Sequence, residues 1–256
     1  MKFGIREICN VVLKAKTAAP ILGKTFKAGQ PVLWFDSLKT SGLEGTGEIV
    51  YARGGRGNTK LIAWEGDRDV TFTMEDALLS PMSLALLTAG SLTKASENKV
   101  IVKHITEEVL SDSTGNVTFT YQPSDKYPVF ADMSAVTVSN KVATVTAKNT
   151  IVKLDYYIEA ASKITQIDIA PDAFGANFYL EAETLFRDEK GIDHAAEFII
   201  PSCRVQSNFS FNMSSSGDPS TFTFTMDAFP DTINNGTKKV LCAIQVFEEL
   251  AWLEVK

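Results

Sequence analysis

Apolar and polar residues alternate with a period of two from one end of the chain to the other. That is the pattern of strands burying one face and wetting the other. Val70, Phe72 and Met74 point one way and Thr71, Thr73 and Glu75 the other. Val117, Phe119 and Tyr121 alternate with Thr118, Thr120 and Gln122, and Phe178, Leu180, Ala182 and Phe186 lie opposite Tyr179, Glu181 and Glu183. The stretch "SNFSFNMSSSGDPSTFTFTMDAFPD" (Ser207–Asp231) alternates, breaks at a Ser/Gly/Asp/Pro turn and alternates again. It predicts a hairpin with Phe209, Phe211 and Met213 on one strand and Phe222, Phe224 and Met226 on the other. The opposite face carries Gln206, Asn208, Ser210 and Asn212, then Thr221, Thr223, Thr225 and Asp227. Two segments, Pro31–Phe35 and Val240–Phe247, are apolar on both faces, which predicts strands covered on both sides by the fold or by a partner subunit. The second contains Ile244 and Val246.

One segment breaks the period. In "MEDALLSPMSLALLTAGSL", Ser80 suits an N-cap, Pro81 the first helical turn and Gly90 the stop. Met82, Ala85, Leu86 and Ala89 would share one side of that helix, and a short helical turn at Glu75–Leu79 would precede it. Strands, one helix, then strands predict a mainly β chain, a sandwich or barrel with one short flanking helix. We read residues 1–256 as a single β domain in which about 93–159 is either an elaboration of the sheet or a small inserted β module. Asp36–Gly47 and "ARGGRGN" (Ala52–Asn58) read as glycine-rich loops, either mobile at the surface or ordered by a neighbouring subunit. Arg53 and Arg56 would pair there with acidic groups of that neighbour.

Charge and composition narrow the function. The formal net charge of -6 and a sequence pI near 5.1 do not suit an electrostatic clamp on nucleic acid. No run reaches the roughly 18 apolar residues of a membrane helix, and Lys14 and Lys16 interrupt the opening apolar run, so neither a membrane role nor a signal peptide is expected. Cys9, Cys203 and Cys242 are far apart and form no CxxC pair; they read as reduced buried thiols. The Asn-x-Ser/Thr triplets at Asn116, Asn208, Asn212 and Asn235 read as by-products of a Ser/Thr/Asn-rich β sequence. His104 and His194 have no second ligand at metal spacing. "RDEKGID" (Arg187–Asp193) lacks the oxygen-ligand spacing of a calcium loop and reads as a hairpin turn. The glycines of "ARGGRGN" lead into a strand, where a phosphate-cradling loop would lead into a helix. Glu107–Glu108 and Glu248–Glu249 are adjacent, so each pair would split across two strand faces. No Gly-x-Ser-x-Gly elbow appears. The expectation is a protein that is not an enzyme and needs no cofactor or metal.

Two stretches resemble a known family. "WEGDRDVTFTMEDALLSPMSLALLTAG" (Trp64–Gly90), a strand turning into a short helix that ends in glycine, resembles the strand–helix unit of tailed-bacteriophage tail tube (major tail) proteins. "YLEAETLFRDEKGIDHAAEFIIPSCRVQSNFSFNMSSSGDPSTFTFTMDAFPD" (Tyr179–Asp231) resembles their C-terminal half, where an Ile-Pro strand leads into a long hairpin with an "SGDPSTF" turn. The region 93–159 has no counterpart in the smallest members. The resemblance implies a structural virion protein, made in the host cytoplasm and built into the tail. Its subunits would close into hexameric rings that stack into a tube, hold the tape-measure protein and conduct DNA during ejection. A tail sheath would be a further partner if the tail is contractile. The hairpin face from Gln206 to Asp227 would then line the lumen, and Arg53, Arg56, Ile244 and Val246 would lie between subunits or rings. The rival readings are another virion part (tube terminator, baseplate or capsid decoration) and a carbohydrate- or receptor-binding sandwich, which should show an exposed aromatic platform. Trp34, Trp64 and Trp252 adjoin apolar segments and are expected in the core or an interface.

Overall fold

The computed structural model describes residues 2–211, 213, 215–216, 220–233 and 236–247. The chain forms two compact units, one from Met1–Leu92 and Ile167–Lys256, the other from Thr93–Gln166.

The first unit begins with β1 (Phe3–Ile5), β2 (Asn10–Ala15), the short pair β3 (Ala19–Ile21) and β4 (Lys24–Phe26), and β5 (Pro31–Phe35). Two long strands follow, β6 (Leu38–Gly54) and β7 (Thr59–Asp76), then helix α1 (Pro81–Leu87) and β8 (Ser91–Lys94). The second unit holds β9 (Ile101–Leu110), β10 (Asn116–Thr118), β11 (Val129–Ala131), β12 (Ser134–Val136), β13 (Val142–Thr144) and β14 (Ile151–Ala160). The chain then runs into β15 (Thr165–Asp168), which pairs with β8, and on to β16 (Asn177–Asp188), β17 (Asp193–Val205) and β18 (Phe222–Ala228). A short pair, β19 (Asp231–Thr232) and β20 (Lys239–Val240), precedes β21 (Ala243–Val246).

The main sheet runs β5-β2-β16-β17-β18-β7-β6, with β1 also beside β16 and β21 also beside β17. Its alternation puts Leu13, Leu180, Ile200, Phe72, Met74, Phe224 and Met226 on one buried face, with Leu86 and Leu87 of α1 in the same core. Phe35 meets Phe224 edge-on at 5.0 Å. Burying each such side chain stabilises the fold by about 1.5–3 kcal/mol, which is why the period-two pattern dictates the sheet. The fold is therefore mainly β, a sandwich with one short helix.

The helix starts where its sequence predicts. The Ser80 hydroxyl accepts from the Ser83 amide at 3.0 Å and the Ser83 hydroxyl accepts from the Ser80 amide at 2.8 Å, a capping box with serine in the usual glutamate position. Its end differs from expectation. The left-handed residue is Ala89, at φ 50°, and not Gly90; the Ala89 amide donates to Leu86 at 3.3 Å and that of Gly90 to Ala85 at 2.8 Å. Ser83, Ala85, Leu86 and Leu87 are buried, while Met82 and Ala89 are only half-buried. No helical turn precedes it. Glu75 and Asp76 finish β7, and buried Asp76 accepts from the Ser37 hydroxyl at 2.5 Å and the Leu78 amide at 3.1 Å.

Other elements also depart from the sequence reading. Leu38–Gly47 is not a loop but part of β6, paired with β7 almost to the turn Gly55–Asn58. Its glycine-rich polar pattern hid it because only Leu38 and Leu43 of this stretch reach the core, and the rest is mostly exposed. The segment after Val205 is irregular through Phe211, so Phe209, Phe211 and Met213 do not share a buried face; Met213 is 93% exposed. The rings of Phe209, Phe211 and Phe222 instead stack in series, 5.3 and 5.7 Å apart. The 217–219 turn residues lie outside the described residues. Among the described residues neither doubly apolar segment is covered on both sides. In β5, Val32 and Phe35 are buried but Trp34 is 62% exposed, and Ile244 in β21 is 56% exposed.

In the second unit a sheet ordered β12-β11-β14-β9 and a ribbon of β10 and β13 enclose Val117, Phe119, Val152, Leu154 and Tyr156. β9 and β14 pair over ten residues each. The Tyr156 hydroxyl donates to Glu107 at 3.0 Å and accepts from the Tyr121 amide at 3.3 Å; burial pushes its pKa up to about 12. Tyr121 turns outward instead of joining Val117 and Phe119.

Candidate functional site

Strand β18 places its apolar side chains inward, so Thr223, Thr225 and Asp227 must face the other way. Antiparallel register fixes their neighbours. Thr223 faces Glu75, Thr225 faces Thr73 and Asp227 faces Thr71 on β7, and these in turn face Thr40, Gly42 and Glu44 on β6. The shared face of the three strands is built from hydroxyls and carboxylates. At its β17 border Arg204 stands across from Asp227. The structure thus continues the polar face beyond the segment singled out in the sequence, through residues whose own alternation was legible but whose partner strand was not.

Gln206 leaves β17 but stays tied to β18. Its amide donates to the Thr225 carbonyl at 2.8 Å and its side-chain Nε2 donates to Asp227 Oδ1 at 2.8 Å. Beyond it, Asn208 and Ser210 gather with Thr221, Thr223 and Thr225 around a groove of about 420 Å³, which Leu87 and Phe209 also line. Of the eight polar residues expected on one face, seven meet along this strip; Asn212 lies outside the described residues.

Arg53 and Arg56 sit at the far end of the β6–β7 hairpin. Arg53 pairs with Lys60 in register, and both cations approach the Tyr51 ring, at 5.8 and 3.6 Å from its centroid. The distal half of this hairpin is exposed on both faces. Val50 and Trp64 are opposite one another, Ile62 follows on the same face, and Ile49 and Leu61 lie on the other; all are more than half exposed. Toward the root stand Glu44, Glu48, Glu65, Asp67 and Asp69, with the single cation Arg68 among them. The arm is therefore cationic at its tip, apolar in the middle and acidic at its base. Ile244 and Val246 sit elsewhere, on β21, across from Phe198 and Ala196.

Other reactive groups are committed to structure. Burial pushes the Cys203 thiol up to about 12 and the Cys242 thiol up to about 11, and raises Cys9. His104 pairs with Asp155 at 3.0 Å in the second unit. Among the described residues no group of three or more His, Cys, Asp and Glu is placed to hold a metal. Trp34 and Trp64 are exposed, not in the core, and Trp252 lies outside the described residues.

A search of curated proteins returned no match to the chain. The model of the YomU/Tube protein family matches residues 6–242, almost the whole of it, and the chain belongs to that family.

Proposed function

We propose that the chain is a structural subunit of a bacteriophage tail tube. The observation that carries this reading is the match to a tube family over residues 6–242. The exposed apolar positions support it. A two-stranded ribbon is marginal in water on its own, yet this one extends from the main sheet with Val50, Ile62 and Trp64 uncovered. The sheet's terminal strands β5 and β6 leave backbone edges that a protein must hide, and closure into a ring hides them. In that ring Trp34 and Ile244 would be covered by neighbouring copies, and the arms, tipped by Arg53 and Arg56, would reach acidic groups of the adjoining ring.

The face running from Gln206 to Asp227 and across Thr73 and Glu75 would line the lumen. A wall of hydroxyls and carboxylates gives passing phosphates few cations to hold, so DNA slides. The role needs no catalysis and no cofactor; its partners would be further copies, the tape-measure protein and DNA in transit, in the virion tail. Negative-stain microscopy of the purified protein tests it. Tubes or rings are expected, and a protein that stays monomeric at high concentration would overturn the reading.

A further inference from the structure

His194, the second residue of β17, is buried with both ring nitrogens facing acceptors. Nδ1 lies 3.3 Å from the Phe247 carbonyl oxygen, immediately after β21, and Nε2 lies 3.3 Å from Asp188 Oδ2 at the end of β16. A carbonyl only accepts. Asp188 is held as a carboxylate, because its other oxygen accepts from the Ile192 amide at 2.9 Å and the Lys190 amide at 2.8 Å, and those bonds together with the imidazole lower its pKa. Phe3 packs edge-on to the imidazole at 5.4 Å, and Phe186 is its cross-strand neighbour. Only a ring bearing protons on both nitrogens can bond both partners; a neutral ring leaves a lone pair against an acceptor in an apolar box.

We infer that protonation of His194 fastens the end of β21 to the β16–β17 turn, and that loss of the proton loosens it. The surrounding charges are largely paired among themselves. Arg187, on β16, grips Asp193, on β17, through two bonds of 2.6 and 2.7 Å. Lys2, just before β1, lies 3.5 Å from Glu189 in the turn. Lys190 contributes its backbone amide, and β21 brings no titratable side chain, only Gln245 across from Glu197. Asp188 is the carboxylate in direct contact with the imidazole, and Asp193 favours the imidazolium through space.

The sign follows. The doubly protonated ring is the more acidic form, so the clasp is closed at lower pH and loosens as pH rises. On the acid side it holds until Asp188 takes a proton, and the lowered pKa of that carboxyl extends the closed window downward. What the clasp holds is the strand bearing Ile244 and Val246. This inference does not depend on the tube reading, because it is measured on the single subunit.

Hydrogen exchange between pH 5.5 and 8, expressed as protection factors to remove the intrinsic pH effect, tests it. Protection of the amides of residues 243–247 is expected to fall on the order of tenfold as pH rises, the size of a lost charge-assisted bond. His194→Gln, which cannot bond both acceptors as a cation, is expected to abolish that dependence. Asp188→Asn should flatten it too, because it removes the charge that favours the second proton. Unchanged protection across the range in the native chain, or a native pH profile in either variant, would overturn the inference. If neither variant folds, nitrogen NMR of the native imidazole decides: both nitrogens protonated at pH 5.5 is expected, and a single neutral tautomer throughout would overturn it.

Discussion

Ala89 and Gly90 show how one position decides a local conformation. The helix closes on a left-handed residue, and the chain spends an alanine there although a glycine follows. Alanine in that region costs about 1–2 kcal/mol relative to a right-handed conformation. Gly90 answers a different need. A Cβ built on it would lie 2.8 Å from Ile167 Cγ2 and 3.0 Å from the Asp168 carbonyl oxygen, so β15 approaches too closely for any side chain. Ala89→Gly is therefore expected to raise stability by about 1 kcal/mol. Gly90→Ala should lower it by about 1–3 kcal/mol through overpacking. Urea midpoints at unchanged slope measure both, and effects of the opposite sign would show that Gly90 is the left-handed cap after all. In sequence the two positions are indistinguishable, since a helix stop marks the neighbourhood of a glycine and not what packs against it.

At the scale of elements, what was legible tracked burial. Strands with one buried face, such as β7 near Phe72 and Met74 and β16 from Phe178 to Phe186, announce themselves by alternation because the core demands it. The first strand of the hairpin arm does not, since its outer part buries neither face and its glycines imitate a loop. The partner of β18 is also hidden in the sequence: the Phe/Thr alternation marks Phe222–Met226, but its long ladder is with β7, far earlier in the chain. Alternation reports a face and is silent about the neighbour. Because the arm lies outside the core, deleting residues 54–57, or making Trp64→Asp, is expected to leave the subunit's circular dichroism and melting nearly unchanged while weakening ring stacking. Tubes of normal length and stability from these variants would remove the arm from the assembly contacts. The second unit offers a complementary test. It has its own sheet and its own core around Phe119, Leu154 and Tyr156, and chains of this size do fold alone. Residues 93–166 expressed by themselves should melt cooperatively; a chain with no near-ultraviolet signal would show that the core depends on the rest of the protein.

For the whole molecule, small per-copy effects multiply along a polymer. The excess of acidic over basic residues gives each subunit a net charge of -6, and in a tube the consequence depends on which face meets the cargo. Each cation touching a phosphate adds a salt-sensitive attraction, and rings of such cations repeated along a tube would turn a conduit into a trap. The strip from Gln206 to Asp227 lies on a face where β6, β7 and β18 offer mainly hydroxyls and carboxylates, with Arg204 set against Asp227 at the border and Arg68 lining the cavity beside Asp227. Placing lysine at Asn208, Thr223 and Asp227 together reverses that character. The three sites suit the test because none supports the core: Asn208 and Thr223 are exposed, and Asp227 is half-buried and bonded to Gln206. Lysine at 223 would gain Glu75 as a cross-strand partner, whereas lysine at 227 would stand beside Arg204, so a modest loss of stability of about 1 kcal/mol is expected. If the face lines the lumen, particles carrying Asn208→Lys, Thr223→Lys and Asp227→Lys should assemble tubes of normal length yet release DNA slowly or stall. Raising the salt concentration should restore part of the rate, because phosphate–lysine attraction is screened. Normal ejection from intact triple-variant tubes would place this face elsewhere than the channel wall, and slow ejection insensitive to salt would point to a steric block in place of an electrostatic one.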